Sequence, residues 1–395
     1  MIKYAHQYVD SAVTICELYD GSMPLAAFLK QYFQQNKKFG SRDRRYISHL
    51  CYCNYRLGHA LKEHNATERI KTALFLCEEQ AGEWQVLFDA NWLDHWSENI
   101  TRRINFIQSI YPSFSVESVF PWTDQLSGGI EPHDFILSHF IQPDLFIRIR
   151  PGKEKLVTQK LNDQQLQFEQ LSATCIALPN ASKINTIIEI DKEAVIQDYS
   201  SQQIVEFLQL ITYNLSLTAS VWDCCAASGG KSILAYDTLS KIELTVSDIR
   251  PSILQNLKKR FELAGIKNYH SFIADLASQF PNFPISKSKI ILCDAPCTGS
   301  GTWSRTPEQL YFFSKEKIDE YAALQKKIVR NVIPNLMADG YLLYITCSAF
   351  KKENEDMVTM IEKEFSLQLV KSEVLKGYSL KSDSMFAALF KKVNE

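Results

Sequence analysis

Two of the ten cysteines in this 395-residue chain stand where a thiol can do chemistry. Cys297 lies in Asp294-Ala295-Pro296-Cys297-Thr298-Gly299-Ser300-Gly301, and Cys347 in Tyr344-Ile345-Thr346-Cys347-Ser348. Each ends an apolar run that reads as a buried strand, so each thiol is expected at a strand tip. Pro296 stops a regular mid-sheet strand, and Thr298 to Gly301 can only be a loop. The carboxyl ends of parallel strands, over a ligand crevice, are where an open α/β sheet does its chemistry. A thiolate is a soft, strong nucleophile and a second thiol can act as a base, which suits covalent attack on an electron-poor ring. Most free cysteines are instead small buried hydrophobes. That reading is kept for Cys16, Cys51, Cys53, Cys77, Cys175, Cys224 and Cys293, which sit in apolar or periodic contexts.

A second constellation precedes these. Cys225-Ala226-Ala227-Ser228-Gly229-Gly230-Lys231-Ser232 ends in Gly-Lys-Ser, but a P-loop needs glycine where Cys225 stands, so no triphosphate cradle is expected. What remains is a strand, a turn of small residues and a helix start, where backbone amides approach a ligand closely and the positive helix end favours a carboxylate. Asp248, ending the next strand, is placed to accept hydrogen bonds from ribose hydroxyls, and Asp275, after the third strand, to flank an adenine. The pattern alone does not separate an adenosyl cofactor from a dinucleotide.

The elements that must position these residues follow from periodicity. From about Gln202 helices and strands alternate as a doubly wound parallel sheet requires: Ile204 to Leu210 helical, then strands at 220–223, 243–248, 271–274, 289–293 and 341–345. Pro251 fits the first turn of a helix that Gly265 closes. Between Pro143 and Ser201 the texture is that of a small α+β module. Leu145 to Arg150 alternates with period two, which puts Phe146, Arg148 and Arg150 on one face, either open to stack on bases and meet phosphates or part of an edge strand whose arginines snorkel to solvent. Strands are also read at 173–178 and 186–190. Residues up to about Ile136 read as helical, with Ser41 capping a helix that Gly58 stops. Lys37, Lys38, Arg42, Arg44 and Arg45 cluster at its start, either as a solvated face or as phosphate contacts for RNA.

Composition sets the frame. A hydrophobic share of 46% with 22% charged residues is that of an ordinary soluble globular protein, and a net charge of −2 excludes a uniformly basic nucleic-acid binder. No apolar stretch is long enough for a bilayer and no signal-peptide pattern opens the chain, so a cytoplasmic protein is expected. The cysteine spacing matches neither a disulfide framework nor a zinc site, and no metal is expected. The length implies two or three domains.

The motifs together resemble the RNA cytosine-carbon-5 methyltransferases that use S-adenosylmethionine, most closely the bacterial ribosomal RNA enzymes of the Fmu/RsmB/Sun type. The resemblance runs from about Pro143 to near the end. It is strongest at Asp223 to Lys231, at Asp248, at Asp294 to Glu308, and at Tyr344 to Glu355 with its Glu353-Asn354-Glu355; Gln197 to Gln202 is similar to the segment that precedes the catalytic sheet. It implies a Rossmann-like methyltransferase domain at 202–395, preceded by the small α+β RNA-contacting module at 137–201. The stretch 1–136, with Arg42-Asp43-Arg44 before an apolar helix, is similar to an all-helical NusB-like RNA-binding domain. It further implies that Cys225, Ala226, Ala227, Ser228, Gly229, Gly230, Lys231, Asp248, Asp275 and Asp294 bind S-adenosylmethionine. Cys347 is then the nucleophile for cytosine carbon 6, Asp294 contacts the base near nitrogen 3, and Cys297 assists loss of the carbon-5 proton and release of the enzyme. Lys231 is expected to favour the Cys347 thiolate. Ribosomal RNA, 16S in particular, is the expected partner of a monomer; transfer or other RNA, a DNA cytosine methyltransferase and a silent RNA-binding assembly factor are the alternatives. Three departures are noted: Ser228 for proline, expected to loosen the turn; Ser384-Met385-Phe386 for a glycine-aromatic pair; and Arg150 for asparagine.

Overall fold

The computed structural model describes residues 2–212, 218–239, 241–278 and 283–393. By contacts the chain divides into two compact units: Met1–Asp124 with Glu131–Gln142 and Thr302–Ser314, and Gln125–Ile130 with Pro143–Gly301 and Lys315–Glu395.

The first unit is helical: α1 (Ala5–Leu18), α2 (Leu25–Gln35), α3 (Ser41–Arg56), α4 (Ala66–Cys77), α5 (Ala90–Asp94), α6 (Ile100–Ile110), α7 (Pro132–Ser138) and, far along the chain, α13 (Pro307–Phe312). Gly40 rather than Ser41 caps α3, because the Asp43 carboxylate reaches back to accept the Gly40 N–H (2.7 Å). A buried arginine anchors the last segment. Arg56 Nη1 donates to the carbonyls of His139 (2.8 Å), Ile141 (3.0 Å) and Ser304 (2.7 Å), so its charge is met by dipoles rather than by a carboxylate. Lys37, Lys38, Arg42 and Arg45 are exposed, while Arg44 is half-buried and donates to the Phe39 carbonyl (2.9 Å).

The second unit carries two sheets. In the smaller, β1 (Leu145–Ile149), β2 (Glu169–Gln170), β3 (Cys175–Leu178) and β4 (Ala194–Ile196) pair antiparallel in the order β2-β3-β1-β4. Helix α8 (Glu154–Asp163) closes its apolar face, where Ile147, Ile149, Val157 and Leu161 pack together. The strand expected at 186–190 is not formed. A short 3-10 turn at Ile184–Thr186 puts Ile184 and Ile188 side by side in that core, and only a single bridge, Ile190 to Ala194, follows. The opposite strand face is not open either, which corrects its reading as an RNA surface. Phe146 is buried beside Tyr199, and Arg148 and Arg150 both close on Asp237 (2.7 Å each).

Asp237 lies on α11 (Gly230–Thr238), part of the larger sheet's cover. That sheet holds β5 (Ala219–Asp223), β6 (Ile242–Asp248), β7 (Tyr269–Ile273), β8 (Ser288–Asp294), β9 (Leu336–Thr346), β10 (Leu367–Leu375) and β11 (Met385–Lys392), in the order β10-β11-β9-β8-β5-β6-β7. Strands β5 to β9 pair in parallel, and β11 alone among these strands is reversed, pairing antiparallel with both β9 and β10. The strands read as continuous apolar runs because both faces are covered. Val221, Leu244, Ile290, Leu292 and Leu343 pack under α10 (Ile204–Thr212), α11 and α12 (Pro251–Ala264). Trp222, Ile291, Cys293, Leu342 and Tyr344 pack under α14 (Glu316–Val332) and α15 (Glu355–Glu364). Pro251 opens α12 and Gly265, at φ +75°, closes it. This is the Rossmann-like methyltransferase fold. Chain order turns back between β5 and β8, and a crevice at the carboxyl ends of the strands belongs there. Among the described residues no helix is long and apolar enough to cross a membrane.

Asp237 neutralises two guanidinium groups in a nearly dry site, its own side chain and that of Arg148 being 6% exposed. Removing one partner of a buried ion pair costs about 3–5 kcal/mol. Asp237→Ala is therefore expected to lower the free energy of unfolding by about that much in urea titrations, and a loss below about 1 kcal/mol would refute the clamp.

Candidate active site

Strands β8 and β9 pair in parallel with Cys293 opposite Tyr344 and Asp294 opposite Ile345, and Ala295 N–H still donates to the Ile345 carbonyl (2.9 Å). The two loops that follow therefore leave the sheet side by side. The Cys347 N–H donates to Cys297 Sγ at 3.3 Å. Gly301 completes the junction, donating to the Cys347 carbonyl (2.9 Å) and accepting from Ser384 N–H (2.8 Å). A Cβ there would lie 2.0 Å from the Ser384 carbonyl oxygen, so only glycine fits. The Cys347 hydrogen bond, burial and the Cys347 charge, with a smaller push from Glu353, hold the Cys297 thiol well above its usual value.

The turn of small residues expected to hold the cofactor is built at the tip of β5. Ala227 (φ +45°) and Gly229 (φ +84°) both take left-handed backbone, and a Cβ on Gly229 would meet Phe261 at 2.7 Å. The turn is not loosened by Ser228: Arg260 Nη1 donates to both its carbonyl and its hydroxyl (2.9 Å each), while the rest of the guanidinium pairs with Asp191 (2.7 Å). Asp248 is buried and accepts from Ala227 N–H (3.1 Å), Arg250 N–H (2.9 Å) and Arg250 Nε (3.0 Å). Burial pushes its carboxyl up, but the Arg250 hydrogen bonds and charge prevail and hold it below the usual range.

A cavity of about 530 Å³ joins the two constellations. Its walls include Cys225, Ala227, Asp248, Asp275, Asp294 and both thiols, Cys297 and Cys347. Ala226, Ser228, Gly229, Gly230 and Lys231 stand behind it and shape the turn rather than line it. Asp275 is exposed and accepts from Ala277 N–H (2.9 Å). Lys231 reaches through from α11 to Asp294 (2.7 Å). Burial alone would lower the Lys231 ammonium; the charges of Asp294 and Cys347 outweigh it and hold the group well above its usual value. Cys224 and Cys293 are fully buried and belong to the core.

Two residues with consequences for the site were not singled out from sequence. Asp223, at the end of β5, is buried with, among the described residues, only Ser232 Oγ donating to it (2.5 Å), and burial raises its carboxyl to about 7. Glu353 is buried beneath the thiol loops. An acid ending each of two neighbouring strands was the available signal for the first, and the Glu-Asn-Glu run for the second.

Residues 211–390 match the family model of the 16S rRNA methyltransferase RsmB/F. That segment belongs to the RsmB/F methyltransferase family. Ribosomal RNA small subunit methyltransferase B of Xanthomonas campestris pv. campestris is 27% identical over 192 residues, 46% of this chain and 42% of that protein. The probable ribosomal RNA small subunit methyltransferase B of Bacillus subtilis is 25% identical over 225 residues, 56% of this chain and 49% of that one. The chain thus spans less than half the length of these curated relatives. The crystal structure of PH0851 shares the fold over 99% of both chains, with a TM-score of 0.70 and 17% identity. NSun6 from Pyrococcus horikoshii, solved with SFG, shares it over 71% of this chain and 97% of its own, with a TM-score of 0.57 and 14% identity.

The Asp223 environment makes stability depend on pH. The unfolded carboxyl ionises near its ordinary value of 3.8, whereas the folded one keeps its proton to about 7. Between those values the folded state binds the extra proton, so this group's contribution to stability falls as pH rises across that window and levels off above it. Asp223→Asn is expected to flatten the decline in unfolding free energy measured by urea titration from about pH 4 to about pH 8. An unchanged slope would rule out a protonated Asp223.

Proposed function

We propose that this chain transfers a methyl group from S-adenosylmethionine to carbon 5 of a cytosine in RNA, with 16S ribosomal RNA as the substrate, through a covalent adduct on Cys347. The observation that carries the reading is the meeting of Cys297 Sγ with the Cys347 backbone (3.3 Å) beside the Lys231–Asp294 pair, in one cavity with Asp248. A single thiol in that place would read as packing; two, with a buried ammonium behind them, form a nucleophile and a proton handler.

The cavity's other end fits an adenosyl group. Ile249, 56% exposed and lining it, offers an apolar surface next to the Asp248 carboxylate, and Arg250, whose side chain is 58% exposed, pairs with that carboxylate at the rim. Asp248 and Asp275 would hold the nucleoside part and the Cys225–Ala227 turn the amino-acid part. When bound, S-adenosylmethionine supplies an electrophilic methyl group.

The chain's own residues do the rest. The Cys347 thiolate adds to carbon 6 of the cytosine, a C–S bond forms, and the electron pair of the 5,6 double bond moves onto carbon 5. Asp294, next to nitrogen 3, stabilises the charge that develops on the ring, and Lys231 stabilises the thiolate beforehand. Once carbon 5 carries the methyl, Cys297 takes its remaining proton, the 5,6 double bond re-forms, and Cys347 leaves as thiolate. The causes that raise Cys297 begin with the hydrogen bond and include the charge of Cys347, and both change when Cys347 is tied up as a thioether. Cys297 thereby ionises more readily, so that the thiolate able to take the proton is present at the step that needs it.

The domain roles follow: residues 202–395 perform the chemistry, 137–201 orient it, and 1–136 contact RNA, with exposed Lys37, Lys38, Arg42 and Arg45 meeting phosphates. A monomer acting in the cytoplasm is part of the same reading. The test incubates Cys297→Ala and Cys347→Ala with 16S RNA and S-adenosylmethionine. Cys297→Ala is expected to accumulate a denaturation-resistant protein–RNA adduct; Cys347→Ala is expected neither to methylate nor to crosslink. Turnover by Cys347→Ala would reverse or abolish the assignment of roles.

A further inference from the structure

Glu353 is fully buried, does not line the cavity, and takes no part in the reaction described above. Its carboxylate joins two chain segments instead. Oε2 accepts the Thr298 N–H (3.0 Å) and Oε1 the Thr298 hydroxyl (2.6 Å); Oε1 also accepts the Ser348 hydroxyl (2.5 Å). Gln325, on α14, donates to Glu353 Oε2 (2.9 Å) and to the Pro296 carbonyl (3.0 Å). Thr298 follows Cys297 and Ser348 follows Cys347, so bonds from this carboxylate end one residue away from each thiol. Ser300 braces the same junction, its hydroxyl 3.2 Å from that of Thr298 and accepting the Ala349 N–H (2.8 Å).

Such a site costs free energy. Burial pushes the Glu353 carboxyl up, against the hydrogen bonds from Ser348, Thr298 and Gln325 that favour its ionised form. An apolar side chain of similar volume would avoid that desolvation but could not span the two loops, and a half-satisfied polar network is worse than none.

We propose that Glu353 is a positioning residue for the two thiols, tying the Cys297 loop to the Cys347 loop and fixing the spacing at which one sulfur can serve the other. This rests on reading Cys347 and Cys297 as the reacting pair, yet the spacing itself is measurable without RNA.

Hydroxyls either donate or accept, which makes glutamine a discriminating substitution. In Glu353→Gln the amide oxygen can still accept from Thr298 N–H and Gln325, while its NH₂ donates to the two hydroxyls, so the network survives with reversed hydrogens. Glu353→Ala removes it. The full chain is treated with a diazene oxidant: the two thiols give up two electrons and two protons, the diazene becomes a hydrazine, and an S–S bond joins Cys297 to Cys347, counted by peptide mapping. A misplacement of about 1 Å is expected to slow this crosslink at least about tenfold in Glu353→Ala, with recovery to within about threefold of the parent in Glu353→Gln. Thr298→Val, which removes a single hydroxyl, should be about threefold slower and serves if the alanine variant does not fold. On RNA, kcat should follow the same order while KM for S-adenosylmethionine stays, because Glu353 does not line the cavity.

Parent-like crosslinking in Glu353→Ala, or in Thr298→Val should the former not fold, would overturn the proposal, as would a glutamine variant as slow as alanine. If the crosslinking order holds but the parent chain methylates no RNA, the positioning role stands and the methyltransferase reading falls.

Discussion

Because Asp294 lies opposite Ile345 and the pairing continues through Ala295, β8 and β9 end level, and both loops begin at the same height above the sheet. The constraint is set far below the loops. Leu292, Cys293, Leu343 and Tyr344 are buried and their successive side chains alternate between two cores, so slipping one strand by a residue would push every one of them into the wrong face. The register is thus held by apolar burial over the whole strand. The thiols inherit that accuracy, and only the last few ångströms depend on polar contacts such as those of Glu353 and Gly301. This division explains why the loops can be rich in small and polar residues: the sheet has already done the coarse placement.

The same separation of tasks governs the small antiparallel sheet. Its strands bury one apolar face on α8, and its other face is fastened to the parallel sheet's cover both by Val195, buried in the core under α10 and α11, and by ion pairs: Arg148 and Arg150 on Asp237, with Asp191 of the adjoining turn on Arg260. Buried ion pairs are poor sources of net stability, since desolvation offsets most of the Coulomb gain, but they penalise every misdocked arrangement that leaves a charge alone. Their effect is orientation. Arg260 extends it to the turn after β5, because the guanidinium that binds Asp191 also grips Ser228. A turn containing two left-handed residues would be soft if left to its own backbone; here a side chain from α12 fixes it.

How much of this was legible in the residues follows from which forces act locally. The parallel sheet was, since continuous apolar runs ending in an acid or a thiol are a direct record of strands buried on both faces. Asp248, Asp275, Asp294, Cys297 and Cys347 come together at one cavity because all stand at the ends or just beyond the ends of such strands. The Arg148 and Arg150 face was misjudged for an equally definite reason. Alternation tells which side chains share a face but not what covers it, and the covering carboxylate, Asp237, is about ninety residues away. The 186–190 segment failed because Ile184, Ile187, Ile188 and Ile190 all reach the same core, which a turn allows and a strand with alternating faces does not. Glu353 was visible as a motif letter, yet its partners Thr298, Gln325 and Ser348 lie on three different segments that only the fold assembles.

Lys231 stands among several acidic groups behind the cavity, and the balance of their charges bears on what the site can do. Lys231 contacts Asp294 directly (2.7 Å), and the charges of Cys347 and Asp223 also bear on it. If Asp223 were ionised as well, a buried ammonium would face more negative charge than it could neutralise at close range. Burial, together with Asp294, instead keeps the Asp223 proton in place to about 7, while the hydrogen bond from Ser232 pulls the other way. A neutral Asp223 leaves the ammonium to be shared between the Asp294 carboxylate and whatever negative charge appears on Cys347. An ammonium already held at Asp294 need not reorganise when charge develops nearby, which is the condition under which a fixed ion lowers a barrier rather than merely binding.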